Sequence, residues 1–179
     1  MPPARWLLNS LCQATFATPF VSLDTASQMS AMQPDLRRLG PVTDALLTGG
    51  CMCGGVRFEV GEPLVSAGYC HCKRCQRRTG AAASVSGRIV PGSLRILSGE
   101  ELIRSFEPPA GFAKVFCSGC GSALWSRSPQ DPDVISIRLG TFDADPGIRP
   151  SYRQFVAYAA PWEPLPDDGL PRFPERRPA

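Results

Sequence analysis

The sequence has little that would place it in a membrane or on a nucleic acid. Its longest uninterrupted apolar stretches are only a few residues, as at 6–8, which is too short for a membrane-spanning helix. The formal net charge is only +3, too small to indicate nucleic-acid binding by itself. No internal repeat is visible, and eight cysteines in 179 residues fall below the density of a small disulfide scaffold. The length suits one globular domain with tails.

Proline and glycine are abundant, with 19 and 17 residues, which argues against long helices and for short strands joined by turns. Between Gly49 and Trp162, apolar residues alternate with polar ones at the period of half-buried strands. The strands predicted in this way are 56–60, 82–86, 94–97, 102–106, 114–116, 123–126, 135–139 and 152–158. The two predicted helices are short, at 35–39 and 73–79. This pattern predicts an all-β domain of short antiparallel sheets with few short helices.

The two ends of the chain differ from the middle. Residues 1–46 are predicted to be a poorly ordered extension. A signal peptide is not favoured, because Arg5 would be its only basic residue before the apolar region and that apolar region is interrupted too often. Translation from Met29 or Met32 is an alternative explanation of this segment. Residues 164–179 contain five prolines and three arginines. We expect a proline-rich, solvated tail, and an extended segment that lies across the domain before it frays is the alternative. The domain itself is therefore predicted at 47–163.

Seven of the eight cysteines lie in three tight clusters. The first cluster is Cys51-x-Cys53-Gly and the third is Cys117-x-x-Cys120-Gly. Such turns bring two sulfurs together and let backbone amides hydrogen-bond the thiolates. Two half-sites of this kind predict one closed, structural zinc site with four thiolates, which would join chain positions more than sixty residues apart.

The second cluster, Cys70-His-Cys72-Lys-Arg-Cys75, offers three thiolates within six residues. Three thiolates can cover one face of a zinc ion and leave a fourth position open, which is the mark of a catalytic site. The sequence therefore predicts two zinc ions per chain. Cys12 is the eighth cysteine and receives no role. Because disulfides of Cys-x-Cys spacing are strained, and because zinc thiolates need a reducing compartment, we expect cytoplasmic thiolates instead of a disulfide framework.

The charged residues around the second cluster suggest how a substrate is bound. Lys73, Arg74, Arg77 and Arg78 could bind the carboxylates of an anionic substrate, or could form a solvated basic turn. Nucleic-acid contact is not favoured, because no aromatic platform accompanies them. The only histidine, His71, is expected to lie outside the set of ligands, either behind it or at the surface.

Several segments of the sequence resemble those of a known family. The segments 50–56, 70–81 and 116–122, with Gly140-Thr-Phe-Asp143 and Ala160-Pro-Trp162, are similar to those of the glutathione-dependent formaldehyde-activating enzymes, whose relatives include centromere protein V. The resemblance covers about 49–173. It departs from the family at Arg153, where members often carry a histidine, and in the length of the N-terminal extension.

The resemblance implies a zinc domain of the β-tent type. It implies structural zinc on Cys51, Cys53, Cys117 and Cys120, and catalytic zinc on Cys70, Cys72 and Cys75. The implied activity is that of a carbon–sulfur lyase, which in reverse adds glutathione, or another small thiol, to formaldehyde. A non-catalytic zinc module that binds a protein or a nucleic acid is the alternative, and it would need a fourth protein ligand at the second cluster. A thiol redox sensor that releases zinc on oxidation is a third possibility.

Overall fold

The computed structural model describes residues 46–178, and they form a domain in which most of the regular secondary structure is β-strand. The strands are β1 (Leu47–Gly50), β2 (Arg57–Val60), β3 (Ser66–Cys70), β4 (Ser84–Arg88), β5 (Leu94–Ser98), β6 (Ile103–Phe106), β7 (Ala113–Cys117), β8 (Ala123–Arg127), β9 (Ile135–Arg138), β10 (Arg153–Gln154) and β11 (Arg172–Phe173). The helix α1 (Lys73–Thr79) lies where it was predicted. Single 3-10 turns occupy Glu100–Leu102, Leu139–Thr141 and Val156–Tyr158. The all-β prediction is confirmed.

The strands form two sheets. The smaller sheet has the order β1-β2-β5, and its pairs are antiparallel. The larger sheet has the order β11-β10-β3-β4-β9-β8-β7-β6. Most of its pairs are antiparallel, but β10 runs parallel to both β3 and β11. The sheet is therefore mixed at one edge, where antiparallel pairing alone was predicted.

The core lies between the two sheets and is held by aromatic and aliphatic side chains. Phe58 of β2 is fully buried and makes edge-to-face contacts with Trp125 of β8 and with Phe142, at centroid distances of 6.0 and 5.9 Å. Val115 of β7 and Ile137 of β9 join the same cluster. Burial of such side chains is the main favourable contribution to folding.

The opposite face of the larger sheet is polar. Strand residues directly opposite each other point to the same side, and the register pairs Cys70 with Ser84, Ser86 with Arg138, Ser126 with Ser136 and Lys114 with Ser126. These residues alternate with the core residues of the same strands. One side of the sheet therefore packs into the core, while the other carries cysteine, serine and cationic side chains.

The strand predicted at 152–158 is wrong beyond its first residues. β10 ends at Gln154, and Phe155 then adopts a left-handed conformation with φ 59° and ψ 36°. This is the only positive φ at a non-glycine among the described residues, and a bulky residue there is strained. The Tyr158 amide donates to the Phe155 carbonyl at 3.1 Å, so a 3-10 turn follows instead of a continuing strand.

The C-terminal segment packs against the domain and is not a solvated tail. Its β11 extends the larger sheet, and the amides of Arg153 and Phe155 donate to the carbonyls of Pro171 and Glu175 at 2.9 Å each. The Phe173 ring contacts the Tyr152 ring at a centroid distance of 6.5 Å. Proline cannot donate to a strand, but its carbonyl still accepts, and this explains how so proline-rich a segment joins the sheet edge.

An ion pair fastens this segment to the domain. The Arg153 side chain is only 8% exposed, and its guanidinium lies 2.7 Å from Asp168 and 4.2 Å from the centre of the Tyr69 ring. Arg153 holds the pKa of the Asp168 carboxyl below its usual value. A buried guanidinium that loses its carboxylate partner is strongly unfavourable.

We therefore expect Asp168→Asn to loosen the C-terminal segment. Trypsin should cut after Arg172 several times faster in the variant than in the unchanged protein, as followed by mass spectrometry of the fragments. Asp167→Asn is the matched control, because it removes the same charge from the neighbouring exposed position. Equal cleavage of the two variants would contradict the anchoring role of Asp168.

Two sequence expectations concern other parts of the chain. No helix in residues 46–178 has both the length and the apolar character needed to cross a bilayer. The predicted extension at 1–46, the helix at 35–39 and Cys12 lie outside the described residues, except for Leu46.

Candidate metal centres and the adjoining cavity

Four cysteines from distant parts of the chain converge at one end of the domain. The sulfurs of Cys51, Cys53, Cys117 and Cys120 all lie within 4.8 Å of one another. The Cys51–Cys53 and Cys53–Cys117 sulfur pairs are 3.4 and 4.0 Å apart. Zinc–sulfur bonds of about 2.3 Å place tetrahedral ligands about 3.8 Å apart, so this set of donors fits a metal ion of that kind.

The local structure of each turn follows from its glycine. Gly54 and Gly121 have φ angles of 74° and 75°, a conformation that other residues adopt only with strain. It lets the Gly54 and Gly121 amides donate to the carbonyls of Cys51 and Cys117 at 3.0 and 2.8 Å. The chain thus turns tightly enough for both cysteines of each pair to face the same point.

Backbone and hydroxyl groups also surround the four sulfurs. The Val56 amide donates to Cys51 Sγ at 3.2 Å, and the Ser122 hydroxyl lies 3.2 Å from Cys120 Sγ. Hydrogen bonds from the Ser122 side chain and from the Ser122 and Cys53 amides lower the pKa of Cys120 to about 6. Hydrogen bonds to the charged form of a thiol favour the thiolate that a metal requires.

The second cluster gathers three cysteines where β3 meets α1. Cys70 ends β3, Cys72 caps α1 and Cys75 lies in its first turn. Helical spacing brings residues three apart to the same side, and the three sulfurs lie within 4.8 Å of one another. In residues 46–178, the group contains no fourth cysteine and no histidine, aspartate or glutamate. The donor set therefore fits a metal ion with one position left for another ligand.

The three thiols of this cluster share their protons unequally. Hydrogen bonds from Cys70 and Cys72 lower the pKa of Cys75, whereas hydrogen bonds with Cys72 and Cys75 raise that of Cys70. Cys75 is buried, whereas Cys70 and Cys72 are half-buried. Without a cation the three sulfurs cannot all ionise cheaply, because like charges at this distance disfavour one another.

His71 points away from this cluster. It is only 3% exposed, and its Nε2 lies 3.4 Å from the Arg153 guanidinium. Burial, followed by the charge of Arg153, lowers the pKa of His71, so the ring is neutral near pH 7. His71 packs under the sheet edge behind the cysteines, which agrees with its predicted place outside the ligand set and excludes a surface position.

A cavity of about 460 Å³ opens above the second cluster. Cys70, Cys72 and Cys75 form part of its wall, together with the polar face of the larger sheet. Tyr152, Phe155 and the C-terminal segment close another side. No aspartate or glutamate is among the described residues that line it, whereas the lysine and arginine side chains are Arg74, Arg88, Lys114, Arg138, Arg176 and Arg177. The cavity therefore favours an anionic ligand.

The four predicted substrate contacts have different positions in the structure. Arg74 lines the cavity, and its guanidinium donates to the Ala110 carbonyl. Arg78 turns inward, and it donates to the Ser126 hydroxyl and to the carbonyls of Val115 and Trp125. Lys73 donates to Gln76 on the outside of α1 and does not line the cavity, and Arg77 lines a separate groove. Substrate contact by these residues stays a prediction.

The sequence reasoning missed Lys114 and Arg138, which face the cavity from β7 and β9. The alternation that predicted β9 already separated Ile135 and Ile137 from Ser136 and Arg138. That signal showed which residues share a face, but not that this face adjoins the cysteines. The C-terminal Arg176 and Arg177 were missed as well, since the segment was expected to be solvated.

A protein-family model matches the part of the chain that contains both cysteine clusters. The family model described as glutathione-dependent formaldehyde-activating enzyme matches residues 46–158, which is more than half of the chain. A protein of Halomonas elongata, provisionally named as a glutathione-dependent formaldehyde-activating enzyme, is 32% identical over 108 residues, covering 56% of this chain and 68% of its own. A crystal structure of a Rhodobacter sphaeroides protein aligns with a TM-score of 0.48 at 21% identity, over 71% of this chain and 99% of its own.

Proposed function

Because the chain belongs to the glutathione-dependent formaldehyde-activating enzyme family, we propose that it is a carbon–sulfur lyase. It joins a small aldehyde to the thiol of glutathione, or of a related thiol, and splits the same adduct in reverse. In the joining direction the sulfur–carbon bond forms, the carbonyl π bond breaks, and the thiol proton ends on the former carbonyl oxygen. Atoms and charge balance without an oxidant or a reductant.

The observation that carries this proposal is the three-cysteine cluster on the wall of a cationic cavity. A non-catalytic zinc module would be expected to saturate its metal with protein ligands. The described residues bring only Cys70, Cys72 and Cys75 together, and the cavity above them has room for a small-molecule thiol. This arrangement favours an enzyme over a binding module.

We infer zinc at both clusters, because thiolate sets of four and three suit a structural and a catalytic zinc ion respectively. Cys51, Cys53, Cys117 and Cys120 would hold the first ion, and Cys70, Cys72 and Cys75 the second. When bound at the second cluster, zinc supplies a positive charge that lowers the pKa of an incoming thiol. The thiolates belong to a reducing compartment such as the cytoplasm.

The residues of the chain supply binding and orientation. Arg74, Arg176 and Arg177 lie at the exposed rim of the cavity, where they would bind the carboxylates of glutathione. Tyr152 and Phe155 would pack against the peptide and hold its sulfur end towards the cysteines. Holding both reactants in one cavity lowers the entropic cost of their reaction.

Cys72→Ser tests this proposal. We expect the variant to retain its circular dichroism spectrum, to bind one zinc ion fewer by elemental mass spectrometry, and to lose turnover by about a hundredfold, the scale on which removal of one catalytic group acts. Turnover is the rate of adduct formation from glutathione and formaldehyde above the uncatalysed rate. Cys12→Ser is the matched control, since it makes the same substitution at the one cysteine that lies outside the three clusters in the sequence.

Two results would reject the enzyme assignment. Turnover by Cys72→Ser equal to that of the unchanged protein would separate the reaction from the cluster. If the metal-loaded protein accelerated adduct formation for none of the tested pairs of aldehyde and thiol, the binding module would be the better interpretation.

A further inference from the structure

Three buried or half-buried cations lie on the polar face of the larger sheet, close to the three-cysteine cluster. Arg138 is 7% exposed, and Arg78 and Lys114 are half-buried. Arg138 and Arg78 both donate to the Ser126 hydroxyl, at 3.1 Å each. Burial and the nearby Arg138 lower the pKa of Arg78 to about 10. Placing like charges this close costs free energy in the absence of anions.

Arg138 has unused hydrogen-bonding capacity in this buried place. Its two terminal nitrogens donate to Ser86 at 2.8 Å and to Ser126 at 3.1 Å, but its buried Nε has no partner in the described part of the chain. Buried polar groups are normally hydrogen-bonded, and exceptions need an explanation.

The cysteines do not balance these charges. Three thiolates with one divalent ion retain a single negative charge, whereas Arg78, Lys114 and Arg138 carry three positive charges. None of the three cations forms an ion pair with a carboxylate in residues 46–178. An excess of about two positive charges therefore remains beside the cluster, and a bound anion would neutralise it.

Burial divides the cations of the cavity into two groups. Arg74, Arg176 and Arg177 are exposed at the rim, whereas Arg138 is buried in the wall that also contains Cys75. In a glutathione molecule, five atoms separate the sulfur from the nearest carboxylate carbon, so its carboxylates suit the rim. Formaldehyde can offer Arg138 its carbonyl oxygen as a hydrogen-bond acceptor, but it has no charged group to pair with the guanidinium. A carboxylate next to the reacting carbonyl would lie beside the sulfur and within reach of the inner wall.

We propose that the aldehyde used by this protein carries its own carboxylate, as in glyoxylate, and that Arg138 binds this carboxylate. This inference rests on the proposed function and specifies its substrate class. The thiol sulfur bonds to the aldehyde carbon, the carbonyl π electrons take the thiol proton, and the product is a carboxylated hemithioacetal. Arg138 sets the specificity by pairing with a charge that formaldehyde lacks.

The test compares glyoxylate with glycolaldehyde, a neutral aldehyde of the same carbon number. Binding of each aldehyde to the metal-loaded protein is measured by isothermal titration calorimetry, and turnover with glutathione is measured separately. Glyoxylate should bind and react about tenfold better or more, the discrimination expected of hydrogen bonds between charged groups in a buried site. Arg138→Gln should remove this preference, so that glyoxylate loses far more binding and turnover than glycolaldehyde does.

Arg127→Gln is the matched control, because Arg127 is on the same sheet but exposed and paired with Glu107. Arg138→Lys keeps the charge and tests the site if the glutamine variant does not fold. It should lose part of the preference for glyoxylate.

Three results would overturn the inference. They are equal binding of the two aldehydes by the unchanged protein, an equal loss for all aldehydes in Arg138→Gln, and a preference for glyoxylate that survives this substitution. The second result would mean that Arg138 interacts with the cysteine thiolates or with the glutathione carboxylates, and not with the aldehyde. Preferential binding of glyoxylate without turnover of any aldehyde would support the carboxylate site and reject the proposed enzyme.

Discussion

Cys117→Ser is expected to leave most molecules of the variant unfolded at 25 °C. Cys117 is fully buried at the end of β7, and its sulfur joins the cluster that links the turn after β1 to the turn after β7. Structural zinc contributes roughly 10–16 kcal/mol in small metal-dependent domains, whereas whole domains are stable by only about 5–15 kcal/mol. Losing a ligand of the proposed structural site therefore removes a free energy as large as the stability of the fold.

Circular dichroism, urea unfolding and metal content together measure this effect. We expect the variant to lose the β-sheet spectrum, to show no cooperative unfolding transition, and to bind at most one zinc ion. Met52→Ser is the matched control, because Met52 lies between two cysteines of the cluster but is 82% exposed. If Cys117→Ser unfolded cooperatively at nearly the same urea concentration as the unchanged protein, the first cluster would not be a structural metal site.

Phe58→Ala is expected to lower the free energy of unfolding by about 3–5 kcal/mol, the usual cost of removing a buried phenylalanine ring. Phe58 belongs to the smaller sheet, and its edge-to-face contact with Trp125 joins that sheet to the larger one. The ring also covers Gly49, where a Cβ atom would lie only 2.6 Å from it. Neither Trp125 nor Gly49 can move into the space left by the ring without separating the sheets, so the cavity created by the substitution would persist.

Urea unfolding of the metal-loaded protein at 25 °C measures this loss. Phe106→Ala is the control, because it removes the same ring from a position that is 59% exposed, where a change of at most about 0.5 kcal/mol is expected. A loss of less than 1 kcal/mol for Phe58→Ala would show that this ring does not hold the two sheets together.

The cysteine clusters and most of the strands could be predicted because the signals are local. Cys70, Cys72 and Cys75 lie within six residues, so one short turn and the start of α1 bring their sulfurs together. The alternation at 135–139 places Ile137 and Arg138 on opposite faces wherever the strand pairs. The strand at 152–158 was wrong because Phe155 adopts a left-handed conformation, and because the amides of Phe155 and Ala157 donate to the distant carbonyls of Glu175 and Pro174.

The sequence alone thus determined the all-β class, the position of α1, the grouping of seven cysteines into sets of four and three, and the family. These properties depend on side-chain period and on spacings of a few residues, which act within one strand or turn. Only the tertiary structure decided that Arg138, Lys114 and Ser126 face the second cysteine cluster, and that the C-terminal segment closes the cavity through Arg153 and Asp168. Those contacts depend on strand order and register between segments far apart in the chain, where many pairings satisfy the same alternation and packing of the whole domain selects one.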